Sequence, residues 1–144
     1  MKIFGFTGTR KGMTDKQKKV VSDYFKGNHP FEFHHGDCVG ADKEAGDLAN
    51  INNVSQIILH PPNNPRFRAF CSAEVIMPER TYTARDHDIV DSCQTMLATP
   101  RGFVEELRSG TWATIRYSKK TNRHIVIIFP DGSTEELNKN DLTF

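Results

Sequence analysis

The chain lacks most of the features that would place it outside the ordinary soluble class. No apolar stretch approaches the length needed to cross a bilayer, so no membrane partner is expected. The N-terminus shows no signal-peptide pattern. The three cysteines, Cys38, Cys71 and Cys93, are odd in number, widely spaced and form no CxxC pair. That excludes a disulfide framework and points to a reducing, cytoplasmic setting. Charge of one sign is also missing: the formal net charge is +1. There is then no long-range field for nonspecific binding along nucleic acid or to an anionic membrane, and nucleic acid is not an expected partner. Any anion must be held by a local arrangement. Internal repeats and low-complexity segments are absent as well.

What remains is a chain of 144 residues with 37% hydrophobic and 26% charged residues, which suits one domain, 1–144, around one core. Lys2 to Phe6 is a short apolar run and a first strand. Thr14 and Gln17 have capping-box spacing ahead of Val20, Val21, Tyr24 and Phe25, so a helix is expected over 14–26. Strands follow at 31–35, 56–60, 95–99 and 124–129, and helices at 41–52, 85–92 and 111–120. Pro130-Asp131-Gly132-Ser133 is a turn, after which 134–137 can return as a hairpin strand. Residues 61–83 carry four prolines and little periodicity, the signature of a long functional loop. Alternating strands and helices, with nearly continuous apolar strands, predict an α/β fold. The expected form is a Rossmann-like three-layer domain with a five-stranded, mostly parallel sheet in the order 3-2-1-4-5 and a C-terminal hairpin strand.

Three small-residue turns each follow a strand-like run: Thr7-Gly8-Thr9-Arg10, Gly36 to Asp42, and Ser109-Gly110-Thr111. Where such a turn opens a helix, the first N–H groups are unpaired and the helix dipole favours an anion. In parallel sheets ligands bind beyond the carboxyl ends of the strands, so the three turns can converge on one phosphorylated ligand. Arg10 offers a charged fork. Gly36 and Gly40 permit close backbone approach, and Asp37 or Asp42 can accept ribose hydroxyls or simply cap the second helix. Ser109 serves equally as an N-cap, and Trp112 falls on the helical stripe with Ile115 and belongs to the core. His35, Asp37 and Cys38 match no common metal signature, and neither a metal nor a cofactor is expected.

Taken in order, Gly5 to Arg10, His35 to Asp42, His60-Pro61-Pro62, Arg85 ahead of Ile89-Val90, and Ser109 to Arg116 resemble the SLOG superfamily. These are compact Rossmann-like domains related to the Lonely Guy phosphoribohydrolases and to the DNA-processing protein A fold. The resemblance covers about residues 2–130. It implies a nucleotide or nucleotide-derived ligand, a homo-oligomer, and a role for Arg85 as the counterpart of the phosphoribohydrolases' catalytic arginine. Gly110-Thr111 matches that family's glycine-threonine pair, but Thr114 stands where its glutamate would be. The expected function is therefore binding of a phosphorylated, ribose-containing ligand, as a sensor or sequestering protein. The ligand residues are Thr7, Gly8, Thr9, Arg10, Gly36, Asp37, Gly40, Asp42, Arg85, Ser109, Gly110, Thr111 and Thr114, with no catalytic residue assigned. The alternative is an N-glycosidase or glycosyl-transfer enzyme acting on nucleoside monophosphates, with Asp42, Asp86, Glu105 or Glu106 as its carboxylate.

Overall fold

The computed structural model describes residues 1–139. Seven strands form one sheet: β1 (Ile3–Gly8), β2 (Glu32–His35), β3 (Gln56–Leu59), β4 (Val75–Ile76), β5 (Thr95–Thr99), β6 (His124–Ile128) and β7 (Thr134–Leu137). The spatial order is β4-β3-β2-β1-β5-β6-β7, with every pairing parallel except β6 to β7. This corrects the expected five strands in the order 3-2-1-4-5. The added parallel strand is β4, a two-residue edge inside the proline-rich segment, where Val75 and Ile76 pair with Ile58 and Leu59. A strand so short carries no period to detect in the sequence. The same segment holds a 3-10 turn at Pro65–Phe67, capped by the Asn64 side chain.

Four helices cover the two faces: α1 (Asp15–Asn28), α2 (Ala41–Ile51), α3 (Tyr82–Asp91) and α4 (Gly110–Lys120). The capping box at α1 is present, with Thr14 Oγ1 accepting from Gln17 N and Gln17 Oε1 accepting from Thr14 N. Helix α3 begins three residues earlier than the periodicity indicates, because Thr81 caps it and accepts from Ala84 N. The strands' alternation splits the core into two clusters. Phe4, Phe6, Phe33, Leu97 and Val126 pack with Val21 and Phe25 of α1 and Ala45 of α2. Met96, Ala98, Ile125 and Ile127 pack on the other face with Ile89 and Val90 of α3 and Trp112 and Ile115 of α4. Trp112 is thus a core residue, 5% exposed.

This topology fixes where a ligand can sit. From β1 the chain winds outward through β2 and β3, then returns to place β5 on the other side of β1. The reversal leaves a crevice beyond the carboxyl ends of β1 and β5. The loops after β1, β2 and β5 all open onto it.

Candidate functional site

A cleft of about 440 Å³ occupies that crevice, within the usual range for small-molecule sites. Its floor is Phe6, Thr7 and Gly8 at the end of β1. One wall comes from Gly36, Cys38 and Asp42, and a second from Tyr82, Arg85 and Asp86 on α3. The rim is the β5–α4 loop with the start of α4.

At that start, Ser109 is the N-cap, and its hydroxyl accepts from Trp112 N at 3.2 Å. The Ala113 amide bonds to Ser109 O. The Gly110 and Thr111 amides precede the first helical hydrogen bonds, so they are available to an anion. A Cβ built on Gly110 meets no atom within 4 Å. Its missing side chain therefore leaves free space at the helix start.

The β1 loop is held rigidly. Thr9 O accepts from Ala41 N at 3.0 Å and from Gly12 N at 3.1 Å, while Thr9 N donates to Thr99 O. Gly40, at φ +88°, lies so close to Arg10 that a Cβ would overlap the Arg10 carbonyl. The glycine's role is thus to let the Arg10 backbone rest on the start of α2. The exposed Arg10 side chain then reaches over the Phe67 ring, its guanidinium carbon 4.0 Å from the centroid.

The innermost part is charged and nearly dry. Arg85 is 6% exposed. Its Nη1 donates to the carbonyls of Gly36 and His60, its Nη2 lies 3.3 Å from Cys38 Sγ, and its Nε lies 2.6 Å from Asp86 Oδ1. The Nε contact is an ion pair between neighbours on α3. A Cβ on Gly36 would sit on top of Arg85 Nη1; the glycine makes room for the arginine. Close to the guanidinium, Asp42 accepts from Cys38 N at 3.3 Å. Burial raises the Asp42 carboxyl to about 7, against the opposing pull of Arg85 and the Cys38 N–H. Asp86 is also raised by burial, opposed by Arg85. The Tyr82 hydroxyl is buried here without a partner.

Of the residues singled out in the sequence, Thr7, Gly8, Thr9, Arg10, Gly36, Asp42, Arg85, Ser109, Gly110 and Thr111 line this cleft. Asp37, Gly40 and Thr114 do not. Asp37 is fully buried, and its carboxylate is taken by Arg68 Nε and Cys71 N, both at 2.9 Å, so it anchors the 61–80 segment instead of reaching a ligand. Thr114 turns its hydroxyl onto Gly110 O at 3.0 Å. Of the four carboxylates weighed, Asp42, Asp86 and Glu106 line the cleft. Glu105 faces away, bound to Arg116, and Glu106 is held by two bonds from Arg101. Sequence reasoning missed Lys11, Arg108 and Phe67. Arg108 had a local signal, a cation placed immediately before the Ser109 helix cap. Phe67 had none, because its partner Arg10 is distant in the chain.

No protein-family model and no curated protein matches the chain. Solved structures do. The chain is 17% identical to the molybdenum cofactor binding protein of Rippkaea orientalis, with a TM-score of 0.68 over 89% of this chain and 76% of that one. It is 18% identical to the molybdenum cofactor carrier protein of Chlamydomonas reinhardtii, with a TM-score of 0.62 over 88% and 76%. To DNA processing protein A of Helicobacter pylori, which binds single-stranded DNA, it is 15% identical, with a TM-score of 0.65 over 99% and 71%. At these identities the likeness is one of fold. It is the likeness of a Rossmann-like α/β fold.

Proposed function

We propose that this protein, as a member of the SLOG superfamily, binds a nucleotide or nucleotide-derived ligand through a phosphorylated ribose, as a sensor or sequestering protein. The observation that carries this reading is the open start of α4 beside a buried charged wall. Gly110 leaves space at the first free amides, while the Tyr82 hydroxyl and the Arg85–Asp86 ion pair lie in the same cleft. A phosphate at Ser109 to Thr111 satisfies the amides, and a ribose directed inward meets Asp42, Asp86 and Tyr82. The three free thiols fit a cytoplasmic location. Exposed Phe103, Val104 and Leu107 on the rim loop fit a homo-oligomer, for which sedimentation at micromolar concentration is the direct measurement.

The test is calorimetric titration with nucleoside 5′-monophosphates, together with native mass spectrometry of protein taken directly from cells. Gly110→Val fills the free space at the helix start and is expected to weaken binding at least tenfold with little change in stability. Unchanged affinity would reduce Ser109 to a helix cap.

A second reading has its own support. Asp42 and Asp86 flank Arg85 in the cleft, and one of these carboxyls titrates near neutrality, as an acid–base catalyst requires. This favours cleavage of an N-glycosidic bond in a nucleoside monophosphate, with the carboxylate drawn from α2 or α3 and not from position 114. Release of free base by the unmodified protein, lost in Asp42→Asn or in Asp86→Asn, would establish it. Binding without base release leaves the first reading standing.

A further inference from the structure

The charge of the cleft exceeds what one phosphate calls for. Five basic side chains line it, Arg10, Lys11, Arg85, Arg101 and Arg108, against three acidic ones, Asp42, Asp86 and Glu106. The excess is two positive charges, and approaches three where Asp42 is protonated. The cleft alone thus carries more positive charge than the whole chain, at +1.

The cations are not equivalent. Arg85 is neutralised by its ion pair with Asp86, and Arg101 by its two bonds to Glu106. Lys11 also lies within electrostatic reach of Glu106. Arg10 and Arg108 have no ion-pair partner among the described residues. Arg10 is moreover fixed at both ends. Its backbone rests on Gly40, in a gap that only a glycine leaves, and its guanidinium lies over Phe67, with Arg66 at 5.0 Å from the same ring. A guanidinium held over an aromatic face keeps its N–H fork free for a phosphate while losing little side-chain freedom on binding. The start of α4 already serves one phosphate. A preorganised arginine beside it on the β1 loop, with Arg108 just ahead of the helix cap, makes a second anion station.

Resting on the reading of the cleft as a nucleotide site, we propose that its ligand carries a diphosphate or longer phosphate chain, one phosphate on the α4 amides and the next gripped by Arg10 and Arg108. A single charge-assisted contact of this kind is commonly worth a tenfold gain or more, about 1.4 kcal/mol per tenfold step.

The experiment is isothermal titration calorimetry at fixed ionic strength, first with inorganic phosphate and pyrophosphate, then with AMP and ADP. Pyrophosphate is expected to bind about tenfold tighter than phosphate, and ADP about tenfold tighter than AMP. In Arg10→Ala, and separately in Arg108→Ala, that ratio should fall toward unity. Arg10→Lys, which keeps the charge but not the planar fork, should restore it only in part. Both arginines are exposed, and thermal melts will show the variants folded. If the mono- and diphosphates bind equally well, or if the ratio survives both alanine substitutions, the diphosphate proposal is overturned and the nucleotide site stands. If none of the four compounds binds, both fall.

Discussion

Replacing Asp42 by asparagine tests the buried charged wall directly. The Asp42 carboxyl is 6% exposed, and its pKa rises from 3.8 to about 7 on folding, with burial as the main cause. For an acid raised on folding, the unfolded chain gives up its proton first as pH increases. Stability therefore falls between the two values and levels off above the folded one. The full gap corresponds to about 4 kcal/mol at high pH. At about pH 5 roughly 1.5 kcal/mol of that loss has accrued, and at about pH 8 nearly all of it. Asparagine keeps the shape and does not titrate, while Arg85 retains Asp86 as its partner. The stability difference between Asp42→Asn and the parent should therefore shift in the variant's favour by about 2.5 kcal/mol from about pH 5 to about pH 8. Urea unfolding of both proteins at the two pH values measures it, since groups common to both cancel in the difference. A difference that stays constant, or moves toward the parent as pH rises, would refute the burial argument and place Asp42 as an ordinary ionised partner of Arg85.

Other expectations follow from the same region. His35 is fully buried, and burial lowers it to about 4 despite nearby Asp37. It should stay neutral until far below the usual histidine range, and its own contribution to stability should fall by about 3 kcal/mol as pH falls from about 6.5 through about 4. An NMR titration midpoint near 6.5 for its ring would contradict this. Gly36→Ala would drive its methyl onto Arg85 Nη1. The guanidinium must leave, stranding Asp42 and Asp86, at a cost of about 3 kcal/mol or more. Denaturant melts showing a near-neutral change would mean that Arg85 is mobile. In the same variant, ligand affinity should fall together with stability, unlike in Gly110→Val, where only affinity falls.

Much of the architecture was legible in the chain because it is written locally. The α1 capping box, the periodicity of α2 and the turn ahead of β7 involve residues within a few positions of one another. The apolar strands announced a parallel sheet, and the glycine turns proved to line a cleft at its carboxyl edge. The strand β4 was not legible, since its two residues become a strand only through pairing with β3. For the same reason the strand count could not be read from periodicity.

The candidate site divides in the same way. Sequence by itself determined the local features: small-residue turns at strand ends and an N-cap serine before a glycine. Tertiary structure decided which residues face the cleft. Asp37 and Asp42 lie five residues apart and are chemically alike. Yet the first folds inward onto Arg68 and Cys71, and the second stands beside Arg85. Gly36 and Gly40 look like ligand-approach glycines, but the spaces they leave are used by Arg85 and by the Arg10 backbone. The pairing of Arg10 with Phe67 and the placement of Asp86 against Arg85 depend on contacts between α3, the β1 loop and the 61–80 segment. Periodicity records which face of an element is apolar, but not which distant group will share a buried charge with it. That is settled only when the sheet order brings the loops after β1, β2 and β5 to one edge.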